Sequence, residues 1–235
     1  MNAAQQFFFT FVAVAFALCI LLNTGCKQSA ETYVKIAYDK YNQGDYAGTI
    51  TNYSKAIDLN PNLENAYVGR GVAKAKVNDF DGAIADFNEA VRLNPSDAAA
   101  YNNRGVVWES KGEHEKAIGD SSEAIRLNPN NPEAYYNRGR AKGIKGDYDG
   151  SIADITTAIH LNPNDAEYFC NRGISRERKG EYTGAIADFS EAILLRTNYV
   201  KAFYHRSIAR EKFGDHLGAI SDSNEVVRIN PKIYK

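Results

Sequence analysis

The sequence predicts an all-α solenoid of six helical hairpins, and three regularities carry that prediction. The string Leu-Asn-Pro recurs at Leu59, Leu93, Leu127 and Leu161 in steps of 34 residues; Ile229-Asn230-Pro231 continues it, with Leu195-Arg196-Thr197 at the step between. An isoleucine holds one place in every unit, at Ile50, Ile84, Ile118, Ile152, Ile186 and Ile220. Gly44, Gly112, Gly146, Gly180 and Gly214 punctuate five units at another fixed place, and Asn78 takes it in the second. A constant period of this length marks a repeat architecture, in which stacked neighbours bury faces that no unit could bury alone.

The frame gives units 30–63, 64–97, 98–131, 132–165, 166–199 and 200–233, with no linker or second domain between them. Each unit reads as two helices. In the second, the fixed isoleucine is followed seven residues later by Ile57, Val91, Ile125, Ile159, Ile193 or Val227. Between them lies Tyr53, Phe87, Ser121, Ile155, Phe189 or Ser223, the spacing of a helix with one buried face. The punctuating Gly or Asn suits a left-handed residue ending the first helix. Asn60, Asn94, Asn128, Asn162 and Asn230, each followed by Pro, end the second. The fifth unit lacks that Pro, so its second helix is expected to run on into Thr197. Gly71, Gly105, Gly139 and Gly173, with Ala37 and Ser207 in the end units, mark a close approach to the paired helix. Ala83, Ala117, Ala185 and Ala219 are expected to face it.

The first 26 residues are different. They hold no Asp, Glu, Lys or Arg, and Phe7 to Leu22 is apolar except for Thr10. That run rises about 24 Å as a helix, short of the roughly 30 Å hydrocarbon core, and so fits a secretory leader better than a permanent span. Its end, Leu22-Asn23-Thr24-Gly25-Cys26, resembles a bacterial lipoprotein signal peptide. Asn23 departs from that pattern, and Met1 to Gln6 lack the usual basic residue. The resemblance implies lipidation at Cys26 and an exported protein held at the cell envelope, facing the periplasm. Cleavage elsewhere and a retained anchor are the alternatives.

From residue 30 to 233 the units resemble the tetratricopeptide repeat, on their period, small-residue positions, fixed isoleucine, terminal Pro and early aromatic (Tyr33, Tyr67, Tyr101, Tyr135, Phe169, Phe203). The resemblance implies antiparallel helix pairs stacked into a right-handed superhelix, with first helices lining a concave face that binds a peptide or partner protein. In the family that face is formed by the second, fifth, sixth, ninth, twelfth and thirteenth residues of each unit. Carried over here, the leading candidates are Tyr38, Tyr41, Asn103, Tyr136, Asn137, Arg140, Asn171, Lys201, Tyr204 and His205. Asn103, Asn137 and Asn171 recur at one position, and a side-chain amide can both donate to and accept from an extended peptide backbone. Solvation or bonding within the array is the alternative for these three. Asn171, Lys201 and His205 also sit at three places of the clamp with which some members grip a chaperone's terminal carboxylate. Tyr136 and Arg140 break it, so that function is not expected.

Charge and chemistry narrow the function further. The net charge is −1, and the groove positions carry six acids and six Lys or Arg, which argues against nucleic acid as a partner. The four histidines fall at different repeat positions, no phosphate loop or nucleophile elbow occurs, and Cys170 reads as a small hydrophobe. The expectation is therefore a binding protein rather than an enzyme, with no catalytic residue, cofactor or metal. Membrane contact would come only through the leader or its lipid. Arg70, Arg104, Arg138, Arg172 and Arg206 recur together with Asp86, Asp120, Asp154, Asp188 and Asp222, which suggests structural pairs joining the helices of a hairpin. The lone Trp108 is expected to pack. Val227 and its neighbours lack a capping helix and could be covered by another copy, giving a homo-oligomer.

Overall fold

The computed structural model describes residues 29–231; the apolar leader with Cys26 lies outside the described residues. Twelve α-helices and no strands occur among them. They are α1 (Ala30–Asn42), α2 (Tyr46–Leu59), α3 (Glu64–Lys76), α4 (Phe80–Leu93), α5 (Ala98–Ser110) and α6 (His114–Leu127), then α7 (Pro132–Ile144), α8 (Tyr148–Leu161), α9 (Ala166–Lys179), α10 (Tyr182–Leu195), α11 (Val200–Phe213) and α12 (His216–Ile229). None is long and apolar enough to cross a membrane.

Local chemistry sets each boundary. Gly44, Asn78, Gly112, Gly146, Gly180 and Gly214 all take positive φ, from 62° at Asn78 to 96° at Gly214, turning the chain sharply after each first helix. In four of the six hairpins the following helix is then capped by a side chain: Asp45, Asp79, Asp147 and Asp215 accept from the backbone N–H of Gly48, Gly82, Gly150 and Gly218 at 2.8–3.0 Å. Each of those glycines leaves the space its capping carboxylate fills. α10 does not run on into Thr197. It stops at Leu195 like its counterparts, with Arg196 extended and its guanidinium 4.5 Å from the Tyr199 ring. The start of the next hairpin, not the missing Pro, decides that end.

Packing is hairpin on hairpin. Each helix touches its chain neighbours, and each first helix also touches the next first helix, whereas second helices do not touch one another. A stack whose inner row is close and outer row splayed must curve toward the inner row, so the first helices line the concave side. Alanines seal the interior, with Ala56, Ala90, Ala124, Ala158 and Ala192 all at 0% exposure. The mid-helix glycines meet larger partners than the expected alanines. A Cβ at Gly71 would lie 2.9 Å from Phe87, one at Gly139 2.8 Å from Ile155 and one at Gly173 2.7 Å from Phe189. Gly105 alone approaches Ala117, through its carbonyl oxygen, and there the facing residue is Ser121.

The recurrent Arg and Asp form a ladder that ties three helices at each step. Arg70, Arg104, Arg138, Arg172 and Arg206 each donate two hydrogen bonds, at 2.6–3.0 Å, to the Asp sixteen residues on. The remaining Nη1 donates back to the preceding hairpin, at Ser54, Asn88, Ser122, Thr156 and Ser190. Each guanidinium also lies over the early aromatic three residues before it, at 5.3–5.7 Å. A second cation reaches the Asp in four hairpins, from Lys74, Lys142, Arg176 and Arg210. The exception is Asp120, because Trp108 takes the cation's place. Trp108 packs as expected, half-buried beside α4, with the Lys116 ammonium 4.4 Å from its ring.

One joint carries the opposite electrostatics. The Glu64 carboxyl, at the start of α3, is pushed up to about 7 by burial and by hydrogen bonding to, and the charge of, Asp97 at the start of α5. An acid raised on folding contributes stability at low pH that is lost as pH rises from about 4.5 through 7. Glu64→Gln is therefore expected to raise the melting temperature at pH 8 and leave it nearly unchanged at pH 4.5; an equal effect at both would contradict the assignment.

Candidate functional site: the concave face

The concave side is not a smooth trough but a row of notches where consecutive hairpins meet. Between α3, α4 and α5 lies one of about 380 Å³, floored by Val72, Phe87, Val106 and Val107, walled by Tyr41 and Phe80, and rimmed by Lys76, Asn103 and Ser110. Between α7, α8 and α9 the corresponding notch shrinks to about 170 Å³. Ile144, Ile155 and Ile174 line it together with Arg140, Asn171, Arg178 and the buried Ser151–Ser175 hydroxyl pair, whose oxygens are 2.8 Å apart. The residue three places after the fixed isoleucine, Phe87 or Ile155, and the ninth residues of the first helices thus supply these floors by the same repeat geometry.

The ten candidate residues divide sharply on this surface. Tyr38 and Tyr204 are well exposed, at 59% and 47%. Tyr41 is half-buried, packed edge-on against Tyr46, and presents to the first notch. Asn103 lines the same notch. Tyr136 is buried: its ring packs on Tyr168 with centroids 4.8 Å apart, its hydroxyl accepts from Asn171, and burial pushes its titration up. Its ring and hydroxyl thereby tie its hairpin to the next.

Two of the three recurrent asparagines are already satisfied from within. Asn137 donates to Asn102 at 3.0 Å. Asn171 donates to the Tyr136 hydroxyl and the Glu167 carbonyl, and accepts from Lys201 at 3.2 Å. These bonds link one hairpin to the next, so identical residue types at one position serve different ends. Arg140 is ion-paired with Glu109. His205 Nδ1 lies 2.8 Å from Glu177, and its ring stacks on Phe189. Cys170 is fully buried, and that burial pushes its thiol up, away from the thiolate a nucleophile needs.

The sequence pattern did not reveal the ties between hairpins. Lys111 pairs with Asp81, Lys145 with Glu115, and Lys179 with Asp149 at 2.6 Å, each across thirty residues. Thr183 and Phe213 fill the same two places at the last joint, Ala47 and Val77 at the first. Opposite charges recurring at that spacing were the available signal.

With this geometry, the class of protein is a helical-repeat solenoid with its first helices in a concave row. Tetratricopeptide-repeat models match residues 37–78, 68–132 and 122–153, so that stretch carries tetratricopeptide repeats. Proteins built from such repeats generally mediate protein–protein interaction. No curated protein matches the chain.

Among solved structures, the chain is similar in fold to PilF of Pseudomonas aeruginosa, at 16% identity, TM-score 0.76, covering 86% of this chain and 92% of that one. It is also similar to a tetratricopeptide repeat protein from Parabacteroides merdae, at 20% identity and TM-score 0.72 over 86% of this chain and 80% of the other. A third is YrrB, described as a TPR protein with an unusual peptide-binding site, at 22% identity and TM-score 0.65 over 77% and 93%.

Proposed function

We propose that this protein is a non-catalytic interaction scaffold of six tetratricopeptide repeats that holds a peptide or a segment of a partner protein along its concave face. The observation that carries this reading is the notch between α3, α4 and α5. It is apolar at its floor, open to the concave side and rimmed by Asn103, whose amide makes no side-chain hydrogen bond within the described residues. A preformed apolar recess with few polar groups at its edge binds a side chain without the cost of rearrangement. YrrB, similar in fold, is described as having a peptide-binding site, which supports a peptide as the ligand. The apolar sequence ending at Cys26 supports an exported scaffold, lipid-anchored at the bacterial cell envelope.

Two measurements test this reading. A partner recovered from envelope extracts by the wild-type chain should be lost by Val72→Gln/Val106→Gln at unchanged helicity; equal recovery would remove the notch from binding. Metabolic acyl labelling should mark the wild type and not Cys26→Ser.

A second reading, self-association, is favoured by the outer face of the last hairpin. Leu217 there is 83% exposed, Ile220 is 59%, and Val227 is 41%. Sedimentation should then show a concentration-dependent mass that Leu217→Lys/Ile220→Lys abolishes; a constant monomer mass would exclude it.

A further inference from the structure

The charges of the concave face are distributed unevenly along the first helices. At the twelfth position of the repeat stand three acids, and each has a basic partner: Glu109 with Arg140, Glu177 with His205, Glu211 with His216. The thirteenth position is the reverse. It holds Lys76, Arg178 and Lys212 and no acid, and none of the three makes an ion pair among the described residues. Each of them lines a separate notch: Lys76 the one between α3, α4 and α5, Arg178 the one between α7, α8 and α9, and Lys212 the one against α12. The concave acids left without a basic partner, Glu31, Glu133 and Glu167, occupy the second position, about 16 Å away at the other end of the helices. That distance exceeds the roughly 8 Å screening length at physiological salt, so the two edges act separately.

Resting on the peptide-binding reading above, we propose that the concave face selects an acidic, apolar-containing peptide segment, its apolar side chains seated in the notches and its Asp or Glu carboxylates facing Lys76 and Arg178. On this edge the face holds its own acids against Arg140, His205 and His216 and leaves its cations without ion pairs, which is what complementarity to an anionic ligand requires. The apolar floors beside the cations demand more than charge. Val72, Phe87 and Val106 lie next to Lys76, and Ile155 and Ile174 next to Arg178, so a uniformly acidic chain would leave them unfilled.

A random dodecapeptide library displayed on phage and selected on the full-length chain in detergent micelles tests this, followed by titration of the selected peptides as fluorescein conjugates. Peptides lost on Val72→Gln/Val106→Gln are the concave-face binders. They should be enriched in Asp or Glu close to an aliphatic or aromatic residue, and Lys76→Gln/Arg178→Gln should weaken them about fivefold or more. Amide versions of the same peptides should bind the wild type equally weakly and lose nothing further on that variant. Concave-face binders without acidic enrichment, or indifferent to Lys76→Gln/Arg178→Gln, would overturn the selectivity and leave the groove standing. If no selected peptide is lost on Val72→Gln/Val106→Gln, the groove assignment falls and the selectivity with it.

Discussion

Replacing Arg104 by Met is expected to destabilise the array by about 3–5 kcal/mol, the cost of leaving a buried carboxylate without its partner. Asp120 is 8% exposed and receives two hydrogen bonds from Arg104, at 2.7 and 2.8 Å. It has no second cation, because Trp108 stands where the other hairpins place Lys or Arg. Arg138→Met makes the informative comparison. Asp154 keeps Lys142 at 2.8 Å, so the loss there should be smaller by roughly 1–3 kcal/mol. Urea unfolding of the two variants measures the difference. Because repeat arrays lose stability locally, hydrogen exchange should place the Arg104→Met loss in α5, α6 and the flanking helices. Equal losses in the two variants would show that the second cation contributes nothing.

The glycines give the second large effect, with opposite signs at two equivalent positions. Gly173→Ala puts a methyl group 2.7 Å from the Phe189 ring, which is itself at 0% exposure and has nowhere to go. Overpacking of this kind costs about 1–3 kcal/mol, and the roughly 1 kcal/mol gained in helix propensity does not offset it. Gly105→Ala meets only Ser121 Oγ at 3.3 Å and backbone or Cβ atoms at 3.4 Å. Here the propensity gain prevails, and the variant should melt higher than wild type by up to about 1 kcal/mol of stability. Thermal melts of the two variants check both signs. Destabilisation of both would mean that the joint at Gly105 is as tight as the others.

The repeat frame was legible because each of its parts answers a local physical demand. A left-handed turn needs Gly44 or Asn78, a helix end is enforced by Pro, and a buried face must recur every three or four residues. Those signals sit within one hairpin and survive in the linear sequence. The within-hairpin Arg–Asp pairs were readable for the same reason, since Ile36 and Asn52 in the first unit replace both members together. What the sequence hid was the joint between hairpins. Asn137 and Asn171 look alike in register, yet Asn137 bonds Asn102 while Asn171 bonds the Tyr136 hydroxyl, which depends on what the previous hairpin offers. Tyr136 was expected at the surface and is held below it by the same bond. The run-on of α10 failed similarly: Pro is sufficient to stop a helix, but the docking of the next hairpin stops it without one.

The central claim is that the concave row of first helices, and not the outer row, meets the partner. A photo-crosslinking amino acid placed in turn at Tyr38 and Val106 on the concave side, and at Leu194 on a second helix, tests it in the living cell; all three positions are exposed, at 59%, 37% and 73%. Adducts of one discrete mass at Tyr38 and Val106, with none at Leu194, are the predicted result. Adducts at Leu194 alone would contradict the account.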